Sequence, residues 1–363
     1  MPVLALLDGT RDIETIRAGF ELRSGTRLST AVVQRLTLEL DDALFLDNER
    51  FLQAYALATK DFRSAPSRPP VLAGSCYPAD AEQLAAFLQR YFDQAEDADT
   101  ESLSEVKGLV SPHIDFLRGG PVYASVWAKA KAAVNEAELV VVLGTDHNGG
   151  EGTITLTRQN YETPLGVLPT AQDVVNEIAE QAGDDAFSHE LHHRVEHSVE
   201  AAIVWLQYLL GGRRCHILPV LCGSFRQFID HGESPSKSAQ ISATIKTLKK
   251  VGARWRTLVV AAGDLAHVGP VFGDQYPVDF VGRARLASQD QKLIDIMSHA
   301  QAEDFFEEIQ REGDQRRVCG MPPIYVAESV LSGLKGSSVG YAQCPASPDG
   351  SSLVSICGMI YHA

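Results

Sequence analysis

Two different periodicities divide the chain. From residue 107 onward, short apolar runs alternate with stretches whose apolar positions recur every three or four residues. The runs KGLVS (107–111), AELVVVLGTDHNGG (137–150), CHILPVLCG (215–223) and WRTLVVAAGDLAHVGP (255–270) are β-branched and break at glycine. That pattern is expected of strands buried on both faces that spill into loops. Helical spacing marks PVYASVWAKAKAAV (121–134), SVEAAIVWLQYLL (198–210), RARLASQDQKLIDIMSHA (283–300) and PPIYVAESVLSGL (322–334). A Ser198 cap is expected for the second of these, and a proline pair opens the last. SVGYAQC (338–344) and SSLVSICGMIYH (351–362) close the chain as strands. Alternation of this kind predicts an α/β protein, a three-layer α/β/α fold with a mixed sheet.

The first 60 residues follow another pattern. LALLDGT (4–10) offers a short strand and a turn. Ile13, Ile16 and Phe20 share a helical stripe, as do Val32, Val33, Leu36 and Leu40 behind a Ser29 or Thr30 cap. ALFLDNERFLQAYAL (43–57) reads as a β-hairpin around Asp47-Asn48. Helices followed by a hairpin predict a small N-terminal winged-helix-like domain over 1–63. SAPSRPP (64–70) is the expected linker, and 71–363 the α/β domain. There is no internal repeat and no low-complexity tract.

Composition narrows the function classes. Of 363 residues, 45% are hydrophobic and 22% charged, enough apolar material for a full core. A net charge of -15 argues against nucleic acid or an anionic membrane as the main partner. No apolar run reaches the roughly 18 residues that span a bilayer, and the N-terminus lacks the basic stretch of a signal peptide. Six cysteines without a CxxC pair form neither a disulfide scaffold nor a zinc ribbon, so a cytoplasmic location is expected.

The candidate chemistry lies where strands end. His113, His147 and His267 each follow an apolar run, and ligands of open α/β sheets bind at such carboxyl ends. Asp115, Asp146 and Asp264 lie close by in sequence as expected acceptors that orient the rings. Cys319 follows two arginines and precedes a helix start, a setting expected to lower a thiol pKa. Glu196 and His197, at the start of another helix, are expected in the same cleft. His189-Glu190-Leu191-His192-His193 matches the HExxH pattern. The segment lacks the apolar stripe of a packed helix, so it reads as a chance match in a His-rich loop.

Seven motifs then occur in order: AGSCYPAD, SPHIDF, VLGTDHNG, EHSVEAAIVWLQ, ILPVLCG, GDLAHVG and CGMPPI. In this order, over 71–363, the chain resembles the Memo family, including protein B of the AmmeMemoRadiSam system. The resemblance implies an extradiol-dioxygenase/phosphorylase-like fold. It implies metal ligands His113, His147 and Cys319, a catalytic pair His267 and Asp264, and an element containing Glu196 and His197. It also implies non-heme iron or copper, with zinc as a further option, and AMMECR1-like and radical-SAM proteins as partners. The chain departs from the family at Asp115 and Phe116, at Cys76 and at Asp146, which bears on pocket shape and substrate. The N-terminal residues resemble PqqD-like modules, which implies peptide binding there.

A thiolate replacing the carboxylate of the dioxygenase site favours softer metals. The leading expectation is therefore a metal-dependent oxidoreductase with a His/His/Cys site and His267 as acid/base, oriented by Asp264. The alternative is a non-catalytic metal- or peptide-binding adaptor of a radical-SAM-associated system. A zincin peptidase acting through Glu190 ranks third.

Overall fold

The structure, a computed structural model, describes residues 3–95 and 105–363. They form two compact units, one ending at Ser64 and one beginning at Ala65.

The N-terminal unit is helical. A 3-10 turn at Leu4–Leu6 replaces the expected strand, because only one turn of chain separates Val3 from the polar Asp8-Gly9-Thr10. Helices α1 (Ile13–Ser24) and α2 (Thr30–Asp42) follow, with Asp12 and Ser29 as N-caps that accept from Thr15 N and Val32 N. Val3, Leu6, Ile16 and Val33 form a small core. The expected hairpin is absent: residues 49–64 form a third helix, α3 (Glu49–Ser64). Asn48, read as a turn residue, accepts from Phe51 N at 3.1 Å and so starts a helix. No β-branched residue follows until Thr59, and the intervening Glu, Arg, Leu, Gln and Ala favour helix. A wing therefore has no counterpart among the described residues of this unit.

Among the described residues the larger unit has ten strands: β1 (Val106–Ser111), β2 (Leu139–Thr145), β3 (Ile154–Leu156), β4 (Tyr161–Thr163), β5 (Gly166–Leu168), β6 (His216–Cys222), β7 (Thr257–Ala262), β8 (His267–Val268), β9 (Lys335–Pro345) and β10 (Leu353–His362). β4 and β5 form a separate ribbon. The main sheet runs β3-β6-β2-β7-β1-β10-β8, with β9 also on β10. Its centre, β6-β2-β7-β1, is parallel, and β3 and β10 flank it antiparallel. The sheet is mixed, as the sequence predicts.

Both faces of the centre are buried, which explains the continuous apolar runs. Along β2, Leu139, Val141 and Leu143 enter one core, while Val140 and Val142 enter the other. The second core is closed by α4 (Ala81–Ala95), α5 (Phe116–Glu136) and α8 (Ser198–Leu210). The first is closed by α6 (Gln172–Ala182), α10 (Ala239–Gly252), α11 (Phe280–Met297), α12 (Ala302–Arg311) and α13 (Met321–Val330). Short helices α7 (His192–Val195) and α9 (Arg226–His231) complete the layers. No helix among the described residues is long and apolar enough to cross a membrane.

Of the expected linker 64–70, Ser64 ends α3 and the rest is anchored by a buried side chain. Arg68 N donates to Asn160 O, and its guanidinium donates to His193 O at 2.8 Å and Glu196 O at 2.7 Å. It also pairs with Glu200, both side chains being fully buried. Glu200 in turn accepts from Val71 N, Leu72 N and Tyr77 OH. The pair thus ties the entering chain to α8. Removing one partner strands a buried charge, so Arg68→Ala should lower unfolding free energy by about 3–5 kcal/mol in urea titrations. Because the lone carboxylate carries much of that cost, Arg68→Ala with Glu200→Ala should cost less than the sum of the single changes.

Candidate metal centre

The parallel register brings three strand ends level. Ser111 of β1 and Gly144 of β2 both lie opposite Ala262 of β7. The chain leaving β1 therefore presents His113, that leaving β2 presents His147, and that leaving β7 presents Asp264 and His267, all at one rim.

Each imidazole is oriented by an acceptor remote in sequence. His113 Nδ1 lies 3.2 Å from Ala262 O, which leaves Nε2 free, 3.1 Å from Cys319 Sγ. His147 Nδ1 lies 3.0 Å from Glu196 Oε2, which likewise leaves its Nε2 free. His267 Nδ1 lies 3.1 Å from Arg317 O. The carboxylates adjacent in sequence serve other groups. Asp115 caps α5 by accepting from Arg118 N. Asp146 pairs with His192 at 2.9 Å. Asp264 accepts from His113 N at 2.8 Å and Ile114 N at 3.3 Å, so it fixes the loop after β1 and does not orient His267. A carboxylate one to three residues away along a turn reaches backbone amides more readily than a ring.

Glu196 is the hub behind the histidines. It accepts from His147 N, His197 N and Ser198 N as well as from the rings of His147 and His197. With its side chain 1% exposed, it is an orienting group and not a cleft group. Burial opposes its charge, but the bonds from His147 and His197 hold its carboxyl far below the usual range. In turn, burial lowers the His147 pKa, and Glu196 more than offsets this, leaving it raised. Ser198, expected as a cap, is the first residue of α8, and its hydroxyl donates to Thr145 O at 3.0 Å.

Cys319 arrives from the opposite direction, on the turn before α13. Two glycines allow it. A Cβ on Gly263 would meet Gly320 Cα at 2.4 Å, and one on Gly320 would meet Asp264 O at 2.6 Å. Only bare backbone lets this turn lie on the exit of β7, where Gly320 N donates to Asp264 O. The expected lowering of the thiol pKa is reversed. Burial raises it well above the usual value, and Asp264 and Glu196 push the same way. Arg316 and Arg317, expected as its activators, are engaged by Asp290 and Asp274.

One donor atom each from His113, His147 and Cys319 lies within 4.8 Å of the others; so do donors from Asp264, His267 and Cys319, and from His147, Glu196 and His197. The first set has two imidazoles with their Nδ1 atoms already committed and one sulfur. That donor set fits a soft or borderline transition metal. The surroundings fit as well, since buried carboxylates and a thiol gain from a cation that converts the thiol to thiolate.

The adjoining cleft holds about 490 Å³. His113, His147, His197 and His267 line it, with Phe116 and Phe272 as apolar wall. Burial pushes His113 down to about 4 and lowers His267, partly offset for both by Asp264, so both rings are neutral at pH 7. Cys76, marked in the sequence as bearing on pocket shape, also lines the cleft, and so does Arg118, which the sequence reading missed. The only signal for Arg118 was its place two residues beyond the SPHIDF motif.

The HExxH match does not form a site. His193 is buried, with one nitrogen 2.6 Å from Tyr161 OH and the other 3.0 Å from Thr155 O. Glu190 is buried and accepts from Thr157 Oγ1.

A family model described as Memo-like protein matches residues 68–360. A MEMO1 family protein of Aquifex aeolicus is 26% identical over 363 residues, covering 99% of this chain and 90% of that protein. One from Thermococcus kodakarensis is 30% identical, covering 67% and 80%. One from Methanosarcina acetivorans is 28% identical, covering 74% and 88%.

The glycine contact gives a direct test of the geometry. Gly320→Ala should displace Cys319 from His113 and weaken divalent-metal binding by about tenfold or more, read by competition with a chromophoric chelator. Gly333→Ala, far along the chain where a Cβ meets nothing within 4 Å, should leave metal affinity unchanged and affect only folding stability through its positive φ.

Proposed function

The chain belongs to the Memo family, and from that premise we propose that it is a metal-dependent oxidoreductase whose ion is held by His113, His147 and Cys319. The observation that carries this reading is the 3.1 Å approach of His113 Nε2 to Cys319 Sγ, with both histidines already oriented through Nδ1. Iron or copper suits the donor set and would supply redox chemistry and Lewis acidity when bound; zinc would supply only the latter.

The protein's own groups define the rest of the proposal. His267, neutral and held through Nδ1 by Arg317 O, offers Nε2 to the cleft as a proton acceptor. His197 lies beside the ligand pair, its ring stacked on His147 at 4.8 Å and oriented by Glu196. Phe116 and Phe272 exclude water from one side of a substrate and favour a flat apolar body. A volume of about 490 Å³ limits the bound portion to a small molecule or a single side chain. The extradiol-dioxygenase-like fold that the sequence resemblance implies makes a dioxygen-using reaction on such a ring the first to assay.

Protein purified without a histidine tag should contain about one equivalent of iron or copper, and Cys319→Ser and His147→Ala should each contain almost none by elemental analysis. Equal metal content in the wild type and both variants would overturn the ligand assignment. Zinc alone, with no oxygen uptake after reconstitution with iron or copper, would overturn the redox assignment. His267→Gln should retain the metal and lose about 10²–10⁴ in turnover, with the loss in kcat.

A further inference from the structure

The turn between α12 and α13, which delivers Cys319, is strained. Asp314 and Arg317 both hold left-handed backbone, with φ of 49° and 54°, a region that favours glycine. Such backbone persists only where the surroundings enforce it, and it concentrates at functional sites. Inside the turn, Arg317 N donates to Asp314 O and Val318 N to Asp314 Oδ1. The tie to the rest of the fold is Arg316. It is 5% exposed, and its Nη1 lies 2.5 Å from Oδ1 of Asp290, a wholly buried carboxylate on α11. Glu312 accepts from its Nε at 2.8 Å.

Asp290 reaches His267 by two routes. On the turn side, Arg316 O accepts from His267 N at 2.7 Å, and the next carbonyl, Arg317 O, holds His267 Nδ1. On the sheet side, Ser355 of β10 hydrogen-bonds Asp290, and Ser355 Oγ accepts from Ala266 N at 3.0 Å. Tyr341 OH of β9 donates to the second oxygen of Asp290 at 2.8 Å. Neither Asp290 nor Arg316 lines the cleft. The pair sits behind it, where α11, both C-terminal strands and the turn meet. Donor atoms of Cys319 and His267 lie within 4.8 Å of each other, so a shift of the turn disturbs the sulfur and the ring together.

We propose that Asp290 and Arg316 are positioning residues: their buried pair clamps the strained turn and thereby sets the Cys319 sulfur and the His267 ring as one unit. The roles of those two groups rest on the metal-dependent reading; the clamp itself does not. Without it, the turn relaxes out of the left-handed region and carries Cys319 away from His113.

The first test needs neither metal nor turnover. The metal-free full chain is treated with iodoacetamide, and alkylation is followed cysteine by cysteine by mass spectrometry. Asp290→Asn and Arg316→Gln should each raise the rate at Cys319 about tenfold or more through local opening of the turn. The double variant should add little, because the two side chains act as one unit. Cys222 and Cys357, both wholly buried, should stay at their wild-type rates. Tyr361→Phe, which removes another buried hydrogen bond to a carboxyl, that of Glu328, should leave Cys319 unchanged. An unchanged Cys319 rate in both single variants would overturn the clamp. So would a rise at Cys222 and Cys357 in step with Cys319, since the pair would then serve global stability alone. If Asp290→Asn fails to fold, Arg316→Gln decides. In the metal-loaded enzyme Asp290→Asn should lower kcat about tenfold with KM unchanged. A wild type without turnover would count against the redox reading alone, the alkylation rates still deciding the clamp.

Discussion

The site is organised around one buried anion. Glu196 gives up hydration that is worth several kcal/mol to a carboxylate, and it recovers this only by accepting from three backbone amides and two imidazoles. Those donors come from the exit of β2 and from the entry to α8. The two segments cannot separate without leaving the charge unpaired, so the direction of the His147 ring follows from the cost of burying a carboxylate. Arg68 applies the same constraint from behind. Its guanidinium holds the carbonyls of His193 and Glu196 while neutralising Glu200. The loop that carries Glu196 is thus fixed from both sides.

Much of the fold was legible because its signal is local. A strand buried on both faces must be apolar throughout, and four such runs became β1, β2, β6 and β7 within a residue or two of their expected places. The convergence of His113, His147 and His267 was legible for a related reason. Parallel strands aligned in register deliver their exits to one rim, whatever lies between them in sequence. Cys319 was legible only as a thiol before a helix; its nearness to His113 depends on the Gly263–Gly320 contact, which no periodicity encodes.

What was not legible depended on distance or on competing local signals. The acceptors for His113 and His147 lie 149 and 49 residues away, whereas the aspartates beside them in sequence were the natural guess. The supposed hairpin failed because Asn48 suits both a turn and a helix cap, and the Ala, Leu and Gln that follow decide for helix. The thiol of Cys319 was misjudged because charge was counted along the sequence. In space, Arg316 and Arg317 spend their charge on Asp290 and Asp274, and the groups left to act on the sulfur are carboxylates.

That electrostatic balance bears on the function. A protein that needed only a buried thiol would not surround it with Asp264 and Glu196, which raise its pKa and make the thiolate harder to form. A nucleophilic cysteine needs the opposite environment, with cations or helix amides beside it. The same surroundings are favourable once a cation shares the space, because each carboxylate then stabilises the ion and the ion stabilises the sulfur anion. Glu196 is engaged by imidazoles and amides and Asp264 by the amides of His113 and Ile114, so both carboxylates are held beside the sulfur. The arrangement is therefore better suited to a bound metal, as the proposed reading requires, than to a free catalytic thiolate.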